Sequence, residues 1–73
     1  MFTMIGTWSK SGQKMVMRQL EEGNNKYILR AKMQDMVRHI AEKSNDTPVW
    51  CGENDVYVTD CLGNNRHIYI REV

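Results

Sequence analysis

The sequence has few of the features that disulfide-stapled, zinc-binding or membrane-spanning proteins need. Its two cysteines, Cys51 and Cys61, are too few for a disulfide scaffold and lack the paired spacing of a structural zinc site. No run approaches the roughly 20 apolar residues of a transmembrane helix. The N-terminus lacks a basic region followed by a long apolar stretch, so we expect no secretion signal.

These scarcities predict a soluble, cytoplasmic protein that holds no metal and no cofactor. Both thiols are expected to be reduced and to be buried as small apolar side chains. A disulfide between Cys51 and Cys61 is the alternative, because both residues fall in segments that a hairpin could bring together.

The chain has only one proline, Pro48, and contains no repeat or linker, so nothing marks a domain boundary. Its 73 residues are about half the usual length of a domain, which predicts a single domain over residues 1–73. A chain of this size buries only about 60% of its unfolded surface, so a deep active-site cleft is hard to build.

The net charge of +1 hides an uneven distribution along the chain. The first 40 residues carry seven basic and three acidic side chains, whereas residues 41–61 carry one basic and five acidic ones. Three of the acidic residues, Glu53, Asp55 and Asp60, lack the glycine and the distal glutamate of a calcium loop. We expect them to form a solvated acidic loop.

Apolar residues at helical spacing predict an amphipathic helix from about Ala31 to Ser44. The apolar stripe consists of Leu29, Met33, Met36, Val37 and Ile40. A run of turn-forming residues that ends at Pro48 predicts that the helix stops near Ser44.

Alternating residues near the C-terminus predict a hairpin with one apolar and one polar face. We expect Gly63-Asn64-Asn65 to form a three-residue loop, which sets Val58 opposite Ile70. The inner face then consists of Val56, Val58, Ile68 and Ile70, and the outer face of Tyr57, Thr59, Cys61, His67, Tyr69 and Arg71.

Residues 2–31 allow two topologies, and both are α+β. In the first, strands over residues 2–8, 13–20 and 26–31 precede the helix, giving a small antiparallel sheet of order β-β-β-α-β-β with one helix on one face. In the second, residues 13–22 form a helix and Asn25 caps another helix that runs to Ser44, giving β-α-α-β-β.

The outer face of the hairpin is the predicted binding site, formed by Tyr57, His67, Tyr69 and Arg71. Cys61 opposite His67 could resemble a nucleophile and its base, but the accompanying oxyanion site and glycine loop are lacking, so we predict no enzyme. The leading interpretation is a small non-catalytic protein-interaction domain of the inhibitor, adaptor or homodimer type, with a protein partner and possible self-association.

A single-stranded nucleic-acid-binding module is the alternative function. Tyrosines beside His67 and Arg71 resemble the mixture of aromatic planes and cations on which bases stack. A second cluster of the same kind is formed by Lys26, Tyr27, Arg30 and Lys32. Against this alternative, the sequence pI near 7.8 is low for a dedicated nucleic-acid binder.

Overall fold

The computed structural model describes residues 1–9 and 14–73, and in this part of the chain one helix packs on one face of a five-stranded antiparallel sheet. The elements are β1 (Phe2–Ser9), β2 (Val16–Gly23), α1 (Lys26–Ser44), β3 (Val49–Trp50), β4 (Asp55–Thr59) and β5 (Asn65–Glu72). The strands lie in the order β2-β1-β5-β4-β3. The predicted α+β class is confirmed, although two strands rather than three precede the helix.

Helix α1 begins earlier than its apolar stripe predicts, because Asn25 caps it. The Asn25 side-chain oxygen accepts hydrogen bonds from the backbone N–H groups of Tyr27 and Ile28 at 2.9 and 3.4 Å. The strand predicted over residues 26–31 is therefore wrong. The capped helix of the second topology is correct at this point.

The C-terminal end of α1 lies where the turn-forming residues predict it. The helix ends at Ser44, and Asn45 follows in the left-handed region with φ 55°. The Asn45 N–H donates to the carbonyl oxygen of Ala41, which satisfies one of the free carbonyl groups at the helix end.

The first two strands form a hairpin, so the helix predicted over residues 13–22 in the second topology is wrong. The sequence also predicts a turn over residues 9–12 between the first two strands, and this turn falls largely outside the described residues. The register between β1 and β2 shifts between Met4 and Ile5, which leaves Leu20 as an extra, bulged residue. Leu20 packs over Gly6: a Cβ atom at this position would lie 2.9 Å from the Leu20 Cδ1 atom, so the Leu20 side chain would have to shift to admit it.

The core lies between α1 and the face of the sheet that we call the inner face. The buried core residues are Met4, Leu29, Met33, Val37, Val56, Val58, Ile68 and Ile70. The predicted helix stripe is confirmed, with Met36 and Ile40 partly buried at its margin. The predicted inner face of the C-terminal hairpin is also confirmed.

The register of that hairpin differs from the prediction. Val58 pairs with Arg66 rather than with Ile70. The loop spans Asp60–Asn64, and Gly63 adopts the left-handed φ of 81° that the turn requires. Because the register is displaced by an even number of residues, the residues of both strands keep their predicted faces, whereas Cys61 lies in the loop and not on the outer face.

Candidate functional site

The open face of the sheet, opposite the helix, carries all four residues of the predicted binding site. Tyr57 on β4 pairs directly with His67 on β5, and their rings are stacked with centroids 4.2 Å apart and planes 4° apart. Tyr69 lies beside His67 at a centroid distance of 4.9 Å. We call Tyr57, His67 and Tyr69 the aromatic row. Arg71 follows at the next position of β5 that faces the same way.

A carboxylate holds the central ring of the aromatic row. The Nε2 atom of His67 lies 2.5 Å from the Oδ1 atom of Asp55, which is half-buried rather than part of a solvated loop. This contact, together with the stacked Tyr57 ring, fixes the orientation of the imidazole. The row is therefore a rigid surface feature, with the faces of its middle ring already in contact with its neighbours.

Strand β1, which pairs with β5, adds three further residues to the open face. Thr3, Ile5 and Thr7 point away from the helix, yet only 6%, 8% and 5% of their surfaces are exposed. Strands β2 and β5 flank β1 on either side. The open face is thus closely packed around Thr3, Ile5 and Thr7.

A shallow groove continues the open face towards the β2 edge. It has a volume of about 350 Å³, and its lining includes Ile5, Met17, Glu22 and Arg71. Met17 is 65% exposed. The carboxylates of Glu22 and Asp55 lie on this face together with the guanidinium of Arg71. The open face therefore has no excess of positive charge to attract a polyanion.

The second basic-aromatic cluster of the sequence lies on α1, and acidic partners neutralise much of it. Arg30 forms an ion pair with Glu53 at 3.1 Å, and Lys32 forms one with Glu21 at 2.7 Å. Tyr27 lies below the Arg30 guanidinium at 5.2 Å. Two basic residues of this cluster, Arg30 and Lys32, therefore take part in ion pairs on the surface of the protein.

A cluster of one tryptophan and two arginines, which the sequence does not predict, lies at one end of the inner face. Arg18 on β2 and Arg66 on β5 approach the Trp8 ring on β1, with their guanidinium carbons 5.5 and 5.4 Å from the ring centroid. We call Trp8, Arg18 and Arg66 the Trp8 corner. The half-buried Trp8 lies outside the main core cluster. Because each of its three residues comes from a different strand, no local sequence motif predicts the corner.

Asp60 anchors this corner and is buried, which corrects its assignment to a solvated acidic loop. Its carboxylate accepts hydrogen bonds from Arg66 Nε, from Asn64 Nδ2 and from the backbone N–H groups of Leu62 and Asn64 at 2.8 to 3.0 Å. Burial alone would raise the pKa of Asp60, but these hydrogen bonds outweigh it and lower the pKa to about 2. Asp60 is therefore ionised at neutral pH.

Both cysteine side chains are exposed, so the expectation that they are buried is wrong. Cys61 lies in the loop after β4, and the residue opposite His67 is Tyr57. The structure therefore does not form the Cys61–His67 pair that an enzymatic interpretation would need. Cys51 follows the short strand β3.

We expect both thiols to react in the folded protein, since exposure gives a thiol reagent free access. Two equivalents of a maleimide should add without denaturant, as measured by intact mass. A mass that is lower by two hydrogen atoms before treatment, with no addition afterwards, would instead indicate a disulfide.

Across residues 1–9 and 14–73, no helix is long and apolar enough to cross a membrane. The same residues contain no group of three or more side chains placed to hold a metal ion. The chain matches no known family model, no curated protein and no solved structure.

Proposed function

We propose that the protein is a small non-catalytic protein-interaction domain that binds its partner through the open face. The observation that carries this proposal is the aromatic row, which is held rigid by stacking and by Asp55 on a packed surface. Tyrosines that are fixed before binding lose little side-chain entropy in a complex, which is why they are frequent anchors of protein interfaces.

The balance of charge on this face favours a protein over a nucleic acid. Binding to phosphates is favoured by an excess of cations, whereas Glu22 and Asp55 outnumber the single guanidinium of Arg71 here. Stacking within the row also occupies the ring faces of His67 on which a base would have to lie. The partner surface that fits is apolar at its centre and carries little net charge.

The test compares tyrosines on opposite sides of the molecule. A protein captured from the native host is purified, and its affinity is measured for the wild type, for Tyr57→Ala/Tyr69→Ala and for Tyr27→Ala. We expect the open-face double variant to lose roughly 30-fold or more in affinity, as for a hot spot of about 2 kcal/mol. Tyr27, which is 68% exposed on the helix, is the matched control and should have little effect.

Thermal melts of all variants establish that each is folded before its affinity is compared. Equal losses for the open-face and Tyr27 variants, or full retention by the double variant, would contradict the proposal. Light scattering over a range of concentrations tests whether the protein forms a homodimer. A dimer that dissociates when Tyr57 and Tyr69 are substituted would identify a second copy of the chain as the partner.

A further inference from the structure

The Trp8 corner holds two guanidinium groups in positions where their donors remain available. A guanidinium stacked on an indole uses its face for the cation–π contact and keeps its N–H groups, which lie in its plane, free for hydrogen bonds. Arg18 and Arg66 belong to the strands on either side of β1, so the indole of Trp8 stands between them.

Arg66 is oriented by its buried carboxylate. Only its Nε atom bonds to Asp60, at 2.8 Å, and its terminal amino groups make no hydrogen bond within residues 1–9 and 14–73. Within the same residues Arg18 makes neither a hydrogen bond nor an ion pair, and it is exposed. A guanidinium fixed through Nε presents its two terminal nitrogens side by side, the arrangement that binds oxyanions in a bidentate way.

The corner also has more positive charge than its acidic residues balance. Arg18, Arg66 and the exposed Lys14, which lies just before β2, are basic residues at this end of the sheet. In the described part of the chain they stand against two carboxylates, that of Asp60 and that of Asp46, which lines a surface pocket together with Arg66. Within residues 1–9 and 14–73, Arg18 is in no ion pair, and Arg66 is paired with Asp60 only through Nε. The corner thus offers an anion one guanidinium without an acidic partner and the free terminal nitrogens of a second one.

We infer that the Trp8 corner binds phosphate groups of a single-stranded nucleic acid. Two guanidinium groups separated by an indole can contact successive phosphates of one strand, whereas a small anion would reach one of them. The exposed plane of an arginine can also stack on an unpaired base. This site lies on the inner side of the sheet and does not depend on the partner proposed for the open face.

The probe is a fluorescently labelled oligothymidylate of 12 nucleotides, with binding followed by anisotropy at 50 mM salt. Two phosphate contacts on a single strand predict a slope of about −1.4 in log affinity against log salt, so affinity should fall roughly sevenfold at 200 mM. Arg18→Ala should weaken binding several-fold at 50 mM salt and reduce the slope by about 0.7.

Arg38→Ala is the matched control, because it removes the same charge from an exposed position on α1. Arg66→Lys is a second variant, which keeps a charge but loses the paired donors and should also weaken binding. Absence of binding at 50 mM salt, or an equal loss for Arg38→Ala, would overturn the inference. So would full competition by equimolar inorganic phosphate or by a phosphorylated peptide, since each would assign the site to another phosphate source.

Discussion

Met33→Asp is expected to leave the chain unfolded at 25 °C. The Met33 side chain has no exposed surface and lies in the middle of the core between α1 and the sheet. A carboxylate there would have no partner, and burying it or protonating it costs several kcal/mol. A domain of this size is stable by only a few kcal/mol, so the cost exceeds what is available. Far-UV circular dichroism and urea titration measure the result.

Two further aspartate substitutions on α1 give the test a graded scale. Met36→Asp should lower the free energy of unfolding by less than Met33→Asp, because Met36 is only partly buried at the margin of the core. His39→Asp, at an exposed position, should change it by about 0.5 kcal/mol or less. If Met33→Asp melted like the wild type, the described packing of α1 would be wrong.

The apolar pattern of the sequence predicts the body of α1 but not the residue at which the helix starts. Leu29, Met33 and Val37 repeat at helical spacing, so the body of the helix is predictable. Tyr27 and Ile28, in contrast, are exposed in the first turns, and such residues favour a strand by intrinsic preference. The Asn25 cap overrides that preference, and the apolar pattern alone does not predict this cap.

The β1–β2 hairpin was ambiguous for a related reason. β2 is an edge strand whose first residues, Val16 and Met17, are both exposed, so no alternation of buried and exposed positions marks it. The bulge at Leu20 then breaks the two-residue period. Pairing with β1, a tertiary contact, decides the structure of this segment.

The two surface sites differ in how visible they are in the sequence. Tyr57, His67 and Tyr69 could be grouped because alternation along two adjacent strands places them on one face, and the displaced register preserves that face. The partners of Trp8 come from β2 and β5, at positions 18 and 66, and only the order of strands in the sheet brings them together. The sequence therefore predicts the aromatic row and misses the Trp8 corner.

Loss of the Asp60 carboxylate is expected to have the second largest effect on stability. This side chain, 8% exposed, closes the loop between β4 and β5 and holds Arg66 in place. Asp60→Ala leaves Arg66 and the backbone N–H groups of Leu62 and Asn64 without their acceptor. Hydrogen bonds to a charged group are worth about 1.5 to 3 kcal/mol, so we expect a loss of about 2 to 3 kcal/mol at pH 7. Urea titration of the purified variant measures it.

The contribution of the Asp60 charge to the free energy of unfolding should also disappear in acid. The pH dependence therefore distinguishes the effect of its charge from the effect of its shape. Its pKa is about 2 in the folded protein and about 3.9 in an unfolded chain, so ionisation stabilises the fold above pH 4 and ceases to do so as pH falls towards 2. Asp60→Asn should be less stable than the wild type at pH 6, and that difference should shrink steadily between pH 4 and pH 2. Asp35→Asn, at an exposed ion pair on α1, should differ from the wild type by less than about 1 kcal/mol at pH 6. A gap between Asp60→Asn and the wild type that stayed constant from pH 6 to pH 2 would show that Asp60 acts through its shape and not through its charge.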